Sequence, residues 1–349
     1  MRVAGGWIHS RRFDLTFFIG PAVVALLLIA PALAGTELPE LSPLGWLLLV
    51  LMVDVAHVWS SLFRVYLDPR ERRRRPWLYF GTPLAVWLGG TIIYGTEPAW
   101  FWTGLAYIAV HHFVRQQIGF VALYRAAAGD RRPISRHLDH LAVYTGTLVP
   151  IAWWHVHLPR SIAWFMPGDF VGPWAADVML VLWPLYWLVA AAWLAHLVRS
   201  TVQGTPIGWG RVLTMLATWT MWGVGIVVLD SDYAFTATNV LLHGIPYLAL
   251  VWLAAQSGGV SRKLVGALPF LIVVMVCAVT EEWLWDATVW REHAMIFGDW
   301  TAVVSQADWV EVLFVPLLTV PQATHYVLDG FIWRMDGSNP GLKQRVLGS

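Results

Sequence analysis

The chain has 349 residues, 58% of them hydrophobic and only 13% charged, with a formal net charge of +1 and a mean hydropathy of +0.58. Its apolar residues come in runs of about 20, the length that crosses a bilayer, so the sequence reads as an all-α polytopic membrane protein with no stretch left for a soluble domain. The single cysteine, Cys277, excludes an intrachain disulfide, a thiolate zinc cluster and an iron–sulfur centre within one subunit. Basic residues scattered without interleaved aromatics exclude nucleic acid as a partner.

The first run, 13–34, follows a basic start with Arg2, Arg11 and Arg12. Small residues at 32–34 make a cleaved signal peptide its alternative reading, against which Asp14 and Pro21 interrupt the pattern. Further runs are 44–66, 78–95, 101–124, 138–154, 176–198, 212–229, 236–255, 264–280 and 310–333, with a basic loop at 68–76 that holds Arg70 and Arg72 to Arg75. This predicts about ten transmembrane helices in one domain, 1–349, in the inner (cytoplasmic) membrane of a bacterium. With both termini cytoplasmic, only Arg160 and Arg291 of the 23 Lys and Arg fall in external loops and only Arg115 inside the membrane, as the positive-inside rule asks. Segments 155–173 and 281–308 are expected on the outer side, as interfacial helices or as caps over the bundle. Trp100, Trp102, Trp153, Trp154, Trp283, Trp285 and Trp290 sit at the ends of runs and suit interfacial belts.

Polar residues inside the apolar runs carry the functional reading, because they are costly in hydrocarbon unless they face a bundle interior and find partners. The stretch 111–125 reads HHFVRQQIGFVALYR; on a helix His112 and Gln116 share one face and His111 and Arg115 another, about 100° away. Asp54, His57 and Ser61 form an i, i+3, i+7 stripe, repeated by Gln322, His325 and Asp329, while Asn239 and His243 are four apart. Counting depth at about 1.5 Å per residue puts His57, His112 and His243 near the middle of the membrane or just below it, with His325 and Asp329 somewhat closer to the cytoplasm, which describes a polar pocket in the inner half of the bundle. Imidazole and carboxylate are the ligands that a transition metal takes from a protein without thiolates. The candidate metal ligands are therefore Asp54, His57, His112, His243, His325 and Asp329, around one or two ions, with iron foremost. His111, Arg115, Gln116 and Gln322 are the candidates for catalytic support or substrate contact, Arg115 by pairing with a carboxylate or a headgroup.

Histidine-rich helical architecture with an inner-side metal pocket resembles the integral-membrane fatty-acid desaturase and hydroxylase group, although that family's histidine boxes are not matched. The resemblance implies a non-haem di-iron oxidoreductase acting on a lipid, served by an electron-donor protein. Three other classes use similar residues: a proton-coupled transporter with an Asp, His and Arg relay, a b-type haem protein with facing histidines such as His57 and His243, and a metal-independent lipid transferase working near His137, Asp139 and His140. The reading these observations favour is a membrane-bound, metal-dependent oxidoreductase with a hydrophobic or lipid substrate.

Overall fold

Apolar runs become helices where a cap opens them. At the start of α1 (Arg11–Leu33) the Ser10 hydroxyl accepts from the Phe13 N–H at 3.2 Å, satisfying a donor that the first turn leaves open. Asp14, which interrupts the apolar pattern of this run, is buried and accepts from the backbone N–H groups of Ile8 (2.6 Å) and His9 (3.2 Å). It ties the preceding segment down instead of breaking the helix.

The computed structural model describes residues 5–205, 207–299 and 308–347, and all regular elements among them are helical. After α1 come α2 (Pro43–Tyr66), the short α3 (Pro69–Arg74), α4 (Pro76–Thr96), α5 (Pro98–Ala128), α6 (Pro133–Val156), α7 (Val178–Val202) and α8 (Trp209–Val228). Then follow α9 (Asp232–Gln256), α10 (Ala267–Trp290), α11 (Asp308–Leu318), α12 (Val320–Ile332) and α13 (Leu342–Leu347). Six of them, α1, α2 and α7 to α10, are long and apolar enough to cross a membrane.

The difference from the ten expected runs has a local reason in each case. α4, α5 and α6 have the length, at 21, 31 and 24 residues, but α4 is rich in Gly, Thr and aromatics, α5 carries the His-Arg-Gln cluster and α6 opens with Arg136, His137, Asp139 and His140. The last run is interrupted at Thr319, giving helices of 11 and 13 residues. Pro321 cannot donate to the turn before it, and the Thr319 hydroxyl takes up the Pro316 carbonyl at 2.9 Å.

The helices divide into two compact units, one formed by Met1–Glu40, Val110–Pro246 and Lys343–Ser349, the other by Leu41–Ala109 and Tyr247–Leu342. The division passes through α5 and α9, each of which contributes a stretch to both. In the first unit α6 packs on α7 and α8, with Val149, Ala152 and Met179 at the α6–α7 seam, and Phe18 meets Phe120 and Tyr124 edge-on. Gly225 on α8 is required by close approach: a Cβ there would lie 2.0 Å from the Thr238 hydroxyl. The segment 158–173 forms no helix and is held by Arg160 and Ser161 on Asp230 and by Asp169 on the N–H groups of Phe165 and Met166.

In the second unit α4 lies on α11 and α12, and α10 lies on α2. Leu51, Phe63, Tyr247, Val251, Phe270 and Val274 are buried together. Lipid tails are as apolar as these side chains, so the contacts act by van der Waals packing more than by removal from water. Segment 281–308 begins as a continuation of α10, followed by a turn at Ala294–Phe297; its residues 300–307 lie outside the described ones. Trp100 is exposed, as a belt residue should be, whereas Trp102 is buried near Trp285 and Trp290 and Trp154 is buried in the first unit against Phe170 and Phe235. Helical periodicity turns neighbouring tryptophans to opposite faces, so not all seven are anchors.

The basic loop at 68–76 contains the helix α3. Asp68 caps it, accepting from Arg70 N–H (2.9 Å) and Glu71 N–H (3.3 Å), and also accepts from Gly259 N–H at 2.9 Å. Buried Glu71 pairs with Arg64 at 3.0 Å and with Arg74, and accepts from the Tyr79 hydroxyl. Burial pushes its carboxyl up, but Arg64, the Tyr79 hydrogen bond and Arg74 together outweigh burial and leave it below the ordinary value.

Candidate metal centre

Each unit presents a pair of buried imidazoles. In the first, His112 of α5 and His243 of α9 stand edge to face with ring centroids 5.0 Å apart, and Phe113 lies flat on His243 at 3.6 Å. In the second, His57 of α2 and His325 of α12 have the same arrangement, also at 5.0 Å. All four are at most 3% exposed. Each offers one ring nitrogen, and the four ligand atoms lie within 4.8 Å of one another, a group that can hold a metal ion.

The local backbone around these residues departs from regular α-helix. His57 sits in an α-helical stretch, Ala56–Ser61, between π-helical turns at Leu47–Val55 and Leu62–Tyr66, and another π-helical stretch, Thr236–Val240, precedes His243. Such turns add a residue per turn and recur at functional sites. Here they re-aim the side chains on either side of two ligand candidates.

A hydrogen-bonded chain orients His325. Its Nδ1 is 2.8 Å from the Ser61 hydroxyl, Ser61 in turn bonds the Tyr247 hydroxyl, and Tyr247 donates to Asp329 at 2.6 Å. Trp333 Nε1 closes the set, 3.2 Å from Asp329 and 3.3 Å from the Tyr247 oxygen. The Tyr247 ring meets His325 and His57 edge-on at 4.9 and 5.7 Å.

The expected site residues separate into three sets. Four of the candidate ligands, the histidines, are brought together in one group that can hold a metal ion. Asp54 and Asp329 are not part of that group, although Asp54 is 3.5 Å from His57 Nδ1 and Asp329 is 3.9 Å from His325 Nδ1. The candidates for substrate contact are dispersed. His111 and Arg115 point outward, and Arg115 reaches the Tyr144 hydroxyl at 3.3 Å, with no carboxylate paired to it among the described residues. Gln116 is buried, and its amide nitrogen and oxygen have no hydrogen-bond partner among the described residues, whereas neighbouring Gln117 accepts from Thr218 at 2.9 Å. Gln322 bonds the Tyr326 hydroxyl one turn along α12.

Tyr247 and Phe113 were not legible as site residues. Tyr247 lies one turn after His243, beyond Pro246, and Phe113 directly follows His112; both look like ordinary aromatic filling of an apolar helix. A hydroxyl-bearing aromatic at i+4 from an intramembrane histidine is the signal that could have drawn attention to Tyr247.

Against family models, curated proteins and solved structures the chain gives no match, so the residues themselves, a helical chain with six candidate spans and a buried four-histidine group, carry the assignment.

Proposed function

We propose that this is an integral-membrane metalloenzyme whose four histidines hold a single transition-metal ion, and that it oxidises a lipid or other hydrophobic substrate. The observation that carries the reading is the group itself, four buried imidazoles with donor atoms within 4.8 Å of one another. Imidazoles offer each other no opposite charge, and burying four polar rings together is costly unless something they all coordinate is shared. For a metal–nitrogen bond of about 2.1 Å, donor pairs around one ion lie about 3.0 to 4.2 Å apart, within the observed limit. Two ions would need more ligands than this group supplies, so one ion fits better than a dinuclear centre.

All-nitrogen ligation suits iron, copper, zinc or nickel. Iron is the choice consistent with oxidation, since four protein ligands leave positions open on an octahedral ion; a bound ion supplies Lewis acidity and one-electron chemistry. The protein's part is to hold the rings. Since Ser61 takes Nδ1 of His325, Nε2 would be the nitrogen left for an ion, and Asp54 and Asp329, near Nδ1 of His57 and His325, would support those rings. Phe113 and Tyr247 supply aromatic walls that exclude water, and Gln116 offers a buried amide to a polar atom of the substrate. A membrane-resident site takes its substrate from the lipid, and oxidation at an iron site requires an electron-donor protein.

Elemental analysis of detergent-purified protein, with an absorption spectrum, tests the reading. About one equivalent of metal is expected in the wild type, lost in each of His57→Ala, His112→Ala, His243→Ala and His325→Ala. A well-folded protein without metal overturns it, and a Soret band replaces it with haem.

We further propose that the chain forms one integral domain of ten spans in a cytoplasmic membrane with both termini inside. α4 to α6 supply three of the additional spans and α11 with α12 the last, interrupted one. In a Cys277→Ser background, Arg73→Cys and Gly298→Cys should label from opposite sides; labelling from the same side overturns the topology.

A further inference from the structure

A second cavity-forming cluster lies in the first unit, independent of the histidines. Arg125, which lines it, follows His112 by 13 residues on α5, about 20 Å along the helix axis. The cavity has a volume of about 300 Å³, and its wall includes Trp7, Arg125, Asp130, Arg131, Arg136 and Lys343. That volume is at the lower end of small-molecule sites.

The charges on this wall are not balanced. Asp130, its one acid among these residues, is already engaged by Arg132 at 2.8 Å and by Arg211 at 3.1 Å. Burial pushes its carboxyl up, yet the hydrogen bonds and charge of Arg132 hold it well below the usual range, so it is ionised and occupied. Arg125 faces Asp139 at 3.6 Å. Arg131, Arg136 and Lys343 have no carboxylate within ion-pair distance among the described residues. They come from the loop after α5, the first turn of α6 and α13. Three exposed cations from separate elements line one hollow, and their like charges add to a positive potential that attracts an anion.

The frame holding them is fixed in advance. Arg132 N–H donates to Asp130 at 3.0 Å, and Arg132 Nη1 reaches the Ser200 hydroxyl at 3.1 Å. Gly6, at φ +70, lets the N-terminal segment touch the end of α5: a Cβ there would lie 2.9 Å from the Ala128 Cβ and 3.0 Å from the Gly208 Cα. Trp7, buried at 7% exposure, contributes an aromatic wall beside the charges.

We infer that this cavity binds a phosphate group. Guanidinium forks match the oxygens of phosphate, and an ammonium adds a point charge; the group can be that of an anionic lipid or a free phosphate. The test compares detergent-purified full-length protein with the triple variant Arg131→Gln, Arg136→Gln, Lys343→Gln, and with a control triple that removes the same charge elsewhere, Arg12→Gln, Arg73→Gln, Arg262→Gln. Inorganic phosphate and dihexanoyl phosphatidylglycerol are titrated separately, and the concentration giving half of the maximal thermal stabilisation is read. Saturable stabilisation is expected in wild type and control, weakened roughly a hundredfold in the cavity triple. Saturation by inorganic phosphate identifies a free phosphate; saturation by phosphatidylglycerol alone identifies the lipid. Absence of saturation with both ligands, or equal weakening in the two triples, overturns the inference. Metal content should be unchanged in the cavity triple, so this result and that of the histidine site are read separately.

Discussion

Two buried polar clusters in this protein solve the cost of burial in opposite ways. Around Glu71, acid and base are interleaved: the carboxylate meets Arg64 and Arg74, Arg64 also reaches the Ile332 carbonyl at 2.7 Å, and Arg74 reaches Asn339, which itself donates to the Phe331 carbonyl at 2.8 Å. Each charge has its complement within the protein. Around His57, His112, His243 and His325 the same kind of ring recurs four times, with aromatic neighbours and two carboxylates nearby. The first cluster shares its one carboxylate between two arginines, whose further contacts go to backbone and amide oxygens, and it serves the fold. The second brings four ring nitrogens within 4.8 Å of one another, a group that can hold a metal ion and that supplies no opposite charge of its own.

The comparison breaks if removing Glu71 leaves the fold unaffected. Glu71 is 6% exposed, and replacing it with Gln strands two arginines, a change expected to cost about 3–5 kcal/mol and to leave the metal content of the remaining folded protein unaltered. The pH dependence has a definite sign. Because the folded carboxyl lies below its ordinary value of 4.5, its stabilisation is present in full above that value and lost as pH falls through the lower folded one. The gap in melting temperature between wild type and Glu71→Gln should therefore be widest near neutrality and narrow on acidification. A gap that is small or constant with pH would move Glu71 out of the structural role.

The two clusters also differed in how far the sequence disclosed them. The four histidines stood out by residue type, because imidazole in an apolar run is conspicuous, while counting at about 1.5 Å per residue put three of them near one level and His325 somewhat closer to the cytoplasm, with Asp54 and Asp329 kept as further candidates. The divergence of His111 and His112 followed from helix geometry. What stayed hidden depended on tertiary contact or irregular backbone. The π-helical turns flanking His57 depart from the 3.6-residue period that counting along the sequence assumes, while Asp54 and Asp329, on the same stripes as their histidines by counting, lie beside them and outside the four-histidine group. Four consecutive arginines look like one topology signal, yet only Arg72 and Arg73 are exposed, while Arg74 is drawn to Glu71 and Arg75 to the Ser338 carbonyl. Arg115 looked the most in need of a carboxylate and instead faces outward to Tyr144. The all-α class was legible throughout, since it rests on composition; the number of spans was less so, because aromatic, glycine-rich and polar helices such as α4 to α6 blur the apolar signal that counts them.

A smaller effect sharpens the contrast at Ser61. Its hydroxyl is 2.8 Å from His325 Nδ1 and also bonds Tyr247, which passes the chain on to Asp329. With Nε2 on an ion, Nδ1 carries the hydrogen and Ser61 accepts it, fixing the tautomer and the ring's rotation. Ser61→Ala removes that acceptor without touching a ligand, so metal affinity, measured by competition with a chelator, should fall about 10- to 100-fold while the fold and the number of sites are kept. Ser61→Thr, which retains the hydroxyl, should recover most of the affinity. A purely structural serine would give the other pattern, a lower melting temperature in the alanine variant with the chelator titration unmoved, and the histidine group would then lose the feature that most distinguishes it from a set of buried rings.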